Sequence, residues 1–300
     1  MAVVVHSAKP VVDFAALKYK PVFFSMRNNV FKMISLVIHA TKIENPNKLN
    51  SEKLKNISLL LNLYSLISIG LMNYIVDLFF PPQCQACSSV LRDHELEICV
   101  DCRHHLPLTN YHFRKDQPLA RLFFGRIHFE AATSLFYFEK NSRVQSLLHK
   151  LKYKRQKSIG ITLGTWLALE MKDSNRFHSI DLVVSVPLHK KRLKERGYNQ
   201  VSPFAKAIAN VFDVPYEDSV LIKTKHVKTQ VFQTKAERWK SVKHSFEINN
   251  KTLVIGKHVL LVDDLITTGS TIEACAVVLM NAEAKQLSLA TIAIASSMFR

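Results

Sequence analysis

The chain has 300 residues, 48% of them hydrophobic, and a formal net charge of +17. That apolar content excludes a disordered chain, and the length suits one large domain with a small one beside it. The charge points to anionic partners such as nucleic acid, diphosphate, nucleotide or a membrane surface, without choosing among them.

Residues 1–56 hold no catalytic motif. The run 57–76 is strongly apolar, carries no formal charge and is long enough to span a bilayer as a helix. Lys53 and Lys55 precede it, as suits a cytoplasmic flank. Ser58, Asn62, Ser65, Ser68 and Asn73 argue against a span, and the run lies too deep in the chain for an ordinary signal peptide. An upstream extension from a misplaced start, a membrane anchor and an appended soluble helix are all open readings.

Cysteines follow at a spacing of Cys84-x2-Cys87-x11-Cys99-x2-Cys102. Two CxxC knuckles that close predict a small tetrahedral metal module rather than disulfides, with Zn²⁺ as the ion and an iron–sulfur cluster as the alternative. Four sulfurs leave no open coordination position, so the metal's role is structural. His94, His104 and His105 read as surface residues, and Cys275 as a small core residue.

Residues 106–128 read as connection and interface. A strand is expected from 131, a helix over 142–151, and then a basic stretch with Lys150, Lys152, Lys154, Arg155 and Lys157 that suits a helix end. Another helix is expected over 161–171, and a buried strand over 180–187. The cluster His189, Lys190, Lys191, Arg192, Lys194 and Arg196 sits beside that strand's end and suits a diphosphate. A helix over 202–212 and a strand start at Leu221 precede a polar, basic stretch through about 245. Residues 259–262 then read as a short buried strand, Asp263 and Asp264 emerge from it, and Thr267, Thr268, Gly269, Ser270 and Thr271 form a hydroxyl-rich loop before a helix. Strand, acidic pair, loop and helix start together suit a sugar phosphate, whose phosphate the free N–H groups would hold. The carboxylates would take ribose hydroxyls or a metal that the substrate brings. A last strand is expected over 287–295. Strands alternating with helices predict a three-layer α/β domain with a mainly parallel sheet and a ligand site beyond the strands' carboxyl ends. There is no GxxxxGK[ST] and no GxGxxG after a strand, which excludes two rival nucleotide folds.

The stretch VLLVDDLITTGST at 259–271 resembles the ribose-phosphate signature of type I phosphoribosyltransferases. With the cysteines, the chain resembles the ComF family of competence-associated, phosphoribosyltransferase-like proteins. The resemblance starts near Met72, in MNYIVDLFFPPQCQAC, and is strong again at Arg192, Arg196, Gly197, Asn199 and Gln200, and at Glu237-Arg238-Trp239. It implies an extension over 1–71, a four-cysteine module over 72–106, a linker over 107–130 and a phosphoribosyltransferase-like domain over 131–300. It also implies that Asp263 and Asp264 take the ribose hydroxyls and that Thr267, Thr268, Gly269, Ser270 and Thr271 cradle the 5′-phosphate. Ser185, Val186 and Pro187 would form the pyrophosphate loop, with Arg192 and Arg196 supporting it, and the KYK segment at 152–154 would lie near the mouth of the site. Lys228 would serve catalysis from a hood that closes over the site. Val227 and Ser241 depart from the family's Thr and Asn.

On the same grounds the expected ligand is 5-phosphoribosyl 1-pyrophosphate with Mg²⁺, in a cytoplasmic protein linked to DNA uptake. The competing expectation is a non-catalytic accessory protein that binds single-stranded DNA and docks a helicase-like partner. A second copy of the chain is a further candidate partner.

Overall fold

The computed structural model describes residues 80–153, 156–224 and 245–299, together with Asp77. The expectations for 1–71, for the apolar run 57–76 and for the hood, including Val227, Lys228 and Ser241, lie outside the described residues. Among the described residues, no helix is long and apolar enough to cross a membrane. Those from Phe80 onward belong to one compact unit.

Among the described residues, five strands form the central sheet: β1 (Ala132–Phe138), β2 (Leu182–Ser185), β3 (Tyr216–Glu217), β6 (His258–Ile266) and β7 (Gln286–Ala295). Their order is β1-β7-β6-β2-β3, and every pairing is parallel. A separate antiparallel pair joins β4 (Leu221–Lys223) to β5 (Phe246–Ile248). Long apolar runs build the central strands because parallel strands are covered on both faces. β6 is buried at every residue but Leu265.

The helices are α1 (Val100–His105), α2 (Pro118–Arg121), α3 (Arg143–Tyr153), α4 (Lys157–Asp173), α5 (Lys190–Arg196), α6 (Ser202–Phe212) and α7 (Ser270–Asn281). Alternate residues of β2 and β6 feed two cores, as the pleat requires. One core joins Val183, Leu260 and Val262 to Leu147 of α3, Leu163 of α4, Phe204 of α6 and the cysteine module. The other joins Leu182, Val184, Val259 and Leu261 to Cys275 and Leu279 of α7 and to Tyr111, Leu119 and Phe123. The sheet is therefore the middle layer of three.

The cysteine module is packed onto the first layer. Arg103 of α1 lies 5.1 Å from the centre of the Trp166 ring, which meets Phe136 edge-on at 5.7 Å. Arg143 Nη1 and Asp101 Oδ2 pair at 3.1 Å. The chain after α1 then runs along the outer edge of β1: Tyr137 N–H donates to Pro107 O at 2.8 Å and Thr109 N–H to Leu135 O at 3.1 Å.

α4 and α6 meet where α4 carries Gly160 and Gly164. A Cβ at Gly164 would stand 2.4 Å from the Phe204 carbonyl oxygen and 2.8 Å from the Ala207 Cβ. Both are parts of a buried helix, so the whole contact would have to open. Gly164→Ala is expected to lower stability by about 1–3 kcal/mol, against its favourable helix propensity. The midpoint of urea unfolding measures this, and an unchanged midpoint would show that the helices do not touch there.

Candidate functional site

β6 is longer than its sequence suggests. The expected strand stops at Val262, because aspartates are poor strand residues. Pairing with β7 instead carries it on, through Asp263↔Thr291 to Ile266↔Ile294. On its other side the ladder with β2 ends at Ser185↔Val262. β6 thus outruns β2, and the acidic pair has the start of the 186–189 loop as its neighbour in place of a strand. The junction between β2 and β6 is also where the topology reverses: β2 leads on to β3, and β6 leads the other way to β7. Ligands of open parallel sheets bind at such a crevice.

The two carboxylates fall in successive strand positions and so face opposite layers. Asp264 belongs to the α3/α6 side. Its Oδ2 accepts from Gln200 Nε2 at 2.9 Å and pairs with Lys152 Nζ at 3.1 Å. Asp263 belongs to the α7/β4 side, with Cys275 and Lys223 as charged or ionisable company. Asp264 N–H donates to Asp263 Oδ1 at 2.8 Å. Burial first, and the Asp264 charge second, push the Asp263 carboxyl up to about 7, against the pull of that N–H and of Lys152 and Lys223. Burial also lowers Lys223, the last residue of β4, whose ammonium lies 4.8 Å from the centre of the Phe246 ring on β5.

Ser185 is held by a hydroxyl relay. Its Oγ shares a hydrogen bond with Tyr216 OH at 2.9 Å, and Tyr216 OH donates to Ser202 Oγ at 2.8 Å. Asn199 Nδ2 donates to Val186 O at 3.1 Å, and Val186 N–H donates to Val262 O at 2.9 Å. The loop's first residues are therefore tied to the strand that bears the acids. Pro187 follows half-buried, and Arg192 and Arg196 follow on α5. Together with Lys152, Tyr153 and Glu195, these two arginines line a cleft of ≈ 400 Å³. Arg196 lies over the Tyr153 ring at 5.3 Å.

After β6, Thr267 and Thr268 are exposed and Gly269 turns the chain into α7 at φ 76°. Thr268 Oγ1 and Ser270 Oγ lie 3.1 Å apart. Ser270 and Thr271 open α7, whose first-turn N–H groups have no carbonyl of their own helix to reach. A Cβ at Gly269 would come 2.9 Å from Phe123 Cε1. Phe123 sits in the segment after α2, and Arg126 of that segment pairs with Glu273 of α7 at 2.6 Å. The turn is thus clamped from below by Phe123 and from the side by Arg126.

Of the sequence-derived site residues, the structure brings Ser185, Val186, Pro187, Asp263, Asp264, Thr267, Thr268, Gly269, Ser270 and Thr271 to one edge of the sheet. It places Arg192 and Arg196 on the adjoining cleft. Lys228 lies outside the described residues. The charge pattern alone reads Lys152 as a solvated helix end, while the family resemblance of the KYK segment at 152–154 places it near the mouth of the site, where the structure has it. Tyr216, Lys223 and Gln200 have no site role in the sequence reading; Gln200 alone lies in a flagged group, RGYNQ.

Cys84, Cys87, Cys99 and Cys102 bring their sulfurs within 4.8 Å of one another. Cys87 Sγ and Cys99 Sγ are 3.7 Å apart, close to the roughly 3.8 Å edge of a tetrahedron with metal–sulfur bonds of about 2.3 Å. Cys99 N–H donates to Cys84 Sγ at 3.3 Å and Cys102 N–H to Cys99 Sγ at 3.4 Å, contacts that favour thiolates. The four residues fit a structural metal ion. His94, His104 and His105 are exposed and outside the cluster.

A parallel α/β sheet with an acidic pair and a glycine turn at its carboxyl edge is the type I phosphoribosyltransferase topology. A profile of the phosphoribosyl transferase domain family matches residues 201–297. The DNA utilization protein YhgH of Escherichia coli K12 is 29% identical over 206 residues, covering 66% of this chain and 83% of that protein. Competence protein F of Haemophilus influenzae is 32% identical over 130 residues, covering 42% of this chain and 57% of that protein. A solved adenine phosphoribosyltransferase aligns at TM-score 0.35 and 18% identity, covering 49% of this chain and 75% of that one. These likenesses, with the four-cysteine cluster, support a ComF-family assignment within the phosphoribosyltransferase superfamily.

The raised Asp263 carboxyl gives a pH signature. An acid whose folded value lies above its unfolded value of about 4 binds its proton more tightly in the folded state. Its contribution to stability is full below about pH 4 and is lost as the pH rises through about 7. Asp263→Asn removes that loss. Its stability relative to the parent is expected to improve from pH 5 to pH 8, by on the order of 2 kcal/mol. Denaturant titrations at both pH values check this, and a constant difference would show that Asp263 is ionised throughout.

Proposed function

We propose that the chain binds 5-phosphoribosyl 1-pyrophosphate at the carboxyl edge of β2 and β6 and transfers its phosphoribosyl group to a nucleophilic acceptor. The observation that carries this reading is the overrun of β6 past β2, which sets the acidic pair beside the Ser185 loop and just before the Gly269 turn. The 5′-phosphate lies in the turn, against Thr267–Thr271 and the first N–H groups of α7. Asp263 and Asp264 accept from the ribose hydroxyls. The loop over Ser185, Val186 and Pro187 holds the diphosphate, which Arg192 and Arg196 neutralise. Mg²⁺, carried by the diphosphate, supplies further charge neutralisation to the leaving group. The acceptor attacks the anomeric carbon, the bond to the diphosphate oxygen breaks, and the pair of electrons leaves with pyrophosphate. Lys228 assists from the hood. No protein nucleophile is required; placement and electrostatics do the work.

The four sulfurs hold Zn²⁺ as a structural ion. The divisions 72–106 and 131–300 then describe a metal-built module and a catalytic domain, with 107–130 fastening one to the other.

The names of the relatives suggest a place in DNA uptake or use. One observation favours direct single-stranded DNA binding as a second reading. The cleft beside the site alternates cations with rings, Arg196 over Tyr153 and, nearby, Lys157 over Tyr198 at 5.4 Å, an arrangement that suits a backbone and stacked bases. A helicase-like partner would then dock on the metal module.

Calorimetry with 5-phosphoribosyl 1-pyrophosphate and Mg²⁺ separates the two. Saturable binding that Asp264→Ala weakens at least tenfold supports the transferase reading. Absence of binding, together with salt-steep affinity for single strands that Asp264→Ala leaves alone, supports the second. Metal analysis of the purified chain is expected to return one zinc per molecule. Cys102→Ser should lose it and open residues 80–106 to proteolysis; iron in its place, or protection retained, would refute the structural zinc.

A further inference from the structure

Lys152 belongs to two places at once. It extends from the last turn of α3, is about one-fifth exposed, and its ammonium sits 3.1 Å from Asp264 Oδ2. It is also one of the residues that line the cleft with Tyr153, Arg192 and Arg196. Among the described residues, no other cation of that cleft pairs with Asp264. The same carboxylate oxygen already accepts from Gln200 Nε2 at 2.9 Å, from a side chain that is itself buried. Asp264 therefore keeps a donor when the lysine leaves, and a hydroxyl of a bound sugar would supply another. Asp264 is the carboxylate on the α3/α6 layer, and Lys152 is the residue that both pairs with it and lines the cleft. An ammonium on a flexible four-carbon stem can change partners without moving its helix. A diphosphate in the cleft offers it several anionic oxygens and more negative charge than the two oxygens of Asp264, which share one charge.

Resting on the phosphoribosyl reading above, we infer that Lys152 is a specificity-determining residue of this site: it neutralises Asp264 in the free protein and moves to the diphosphate of the bound sugar. The exchange favours a sugar that carries a 1-diphosphate over the same sugar without one. A sugar phosphate lacking that group takes the carboxylate's hydrogen bonds but gives the displaced ammonium no partner. The arginines add charge to the cleft in both cases, whereas Lys152 links the two ends of the ligand because its departure from one is its arrival at the other.

The test compares two probes on the full chain, 5-phosphoribosyl 1-pyrophosphate with Mg²⁺ and ribose 5-phosphate. The parent is expected to prefer the first by tenfold or more. Lys152→Met should lose most of that preference while binding ribose 5-phosphate within about threefold of the parent, and Lys152→Arg should restore it in part. A purely structural ion pair predicts another pattern, in which Lys152→Met weakens both ligands equally, and that result overturns the inference. So does an unchanged preference. If Lys152→Met does not fold, a structure of the parent with the sugar diphosphate decides: Lys152 Nζ on a diphosphate oxygen supports the exchange, and Nζ still on Asp264 refutes it. A parent that binds neither probe removes the phosphoribosyl reading and this inference with it, whereas a parent that binds both with its preference intact in the variant removes this inference alone.

Discussion

The side-chain alternation of β6 governs the chemistry of this protein. A strand that continues through Asp263 and Asp264 sends one carboxylate into each layer flanking the sheet. Asp264 meets Lys152 and Gln200 and stays in an ionic, hydrogen-bonded setting. Asp263 meets the apolar side of α7 with Cys275 beneath it, and only a neighbouring N–H and more distant cations offset its burial. Two chemically identical groups one residue apart thereby acquire different surroundings, and burial raises the Asp263 carboxyl. Had the strand ended at Val262, both would lie in a turn, open to solvent, with nothing to tell them apart.

Support for this edge comes from unusually far along the chain. The segment after α2 places Phe123 beneath Gly269 and Arg126 against Glu273, so the turn into α7 rests on residues roughly 150 positions earlier. The Ser185 loop rests on Tyr216 and Ser202, and the carboxylate edge on the end of α3. Ser185 and Asp264 are thus oriented by elements other than their own. A preorganised electrostatic site needs such bracing, because a dipole free to turn loses most of its advantage over water.

Much of this was legible in the sequence, and the exceptions have physical causes. The expected helix over 202–212 coincides with α6, since Pro203 marks its first turn and its apolar face is regular. The four-sulfur cluster followed from spacing alone. The true end of β6 did not, because long-range pairing with β7 overrides the poor strand propensity of aspartate. β3 has two residues, too few for any periodicity, so Tyr216 and its relay were invisible. Residues 190–196 showed their charge and a family likeness at Arg192 and Arg196, but no apolar periodicity to mark the helix they form, which closes on Gly197 at φ 76°. The resemblance put the segment of Lys152 near the mouth of the site, but only the fold reveals which carboxylate it reaches.

The strip of chain that leaves α1 has a consequence for how the protein behaves in a crowded solution. By bonding to Leu135 and Tyr137 it occupies the outermost rim of the sheet, where β1 offers a seven-residue run with two phenylalanines and a tyrosine. A bare rim of that composition is a template for strands from other molecules. The cysteine knuckles anchor the covering strip from one end, so the ion they are proposed to hold would also guard against clumping. Turbidity rising after chelation, before any loss of the central helices, is how that guardianship would show itself.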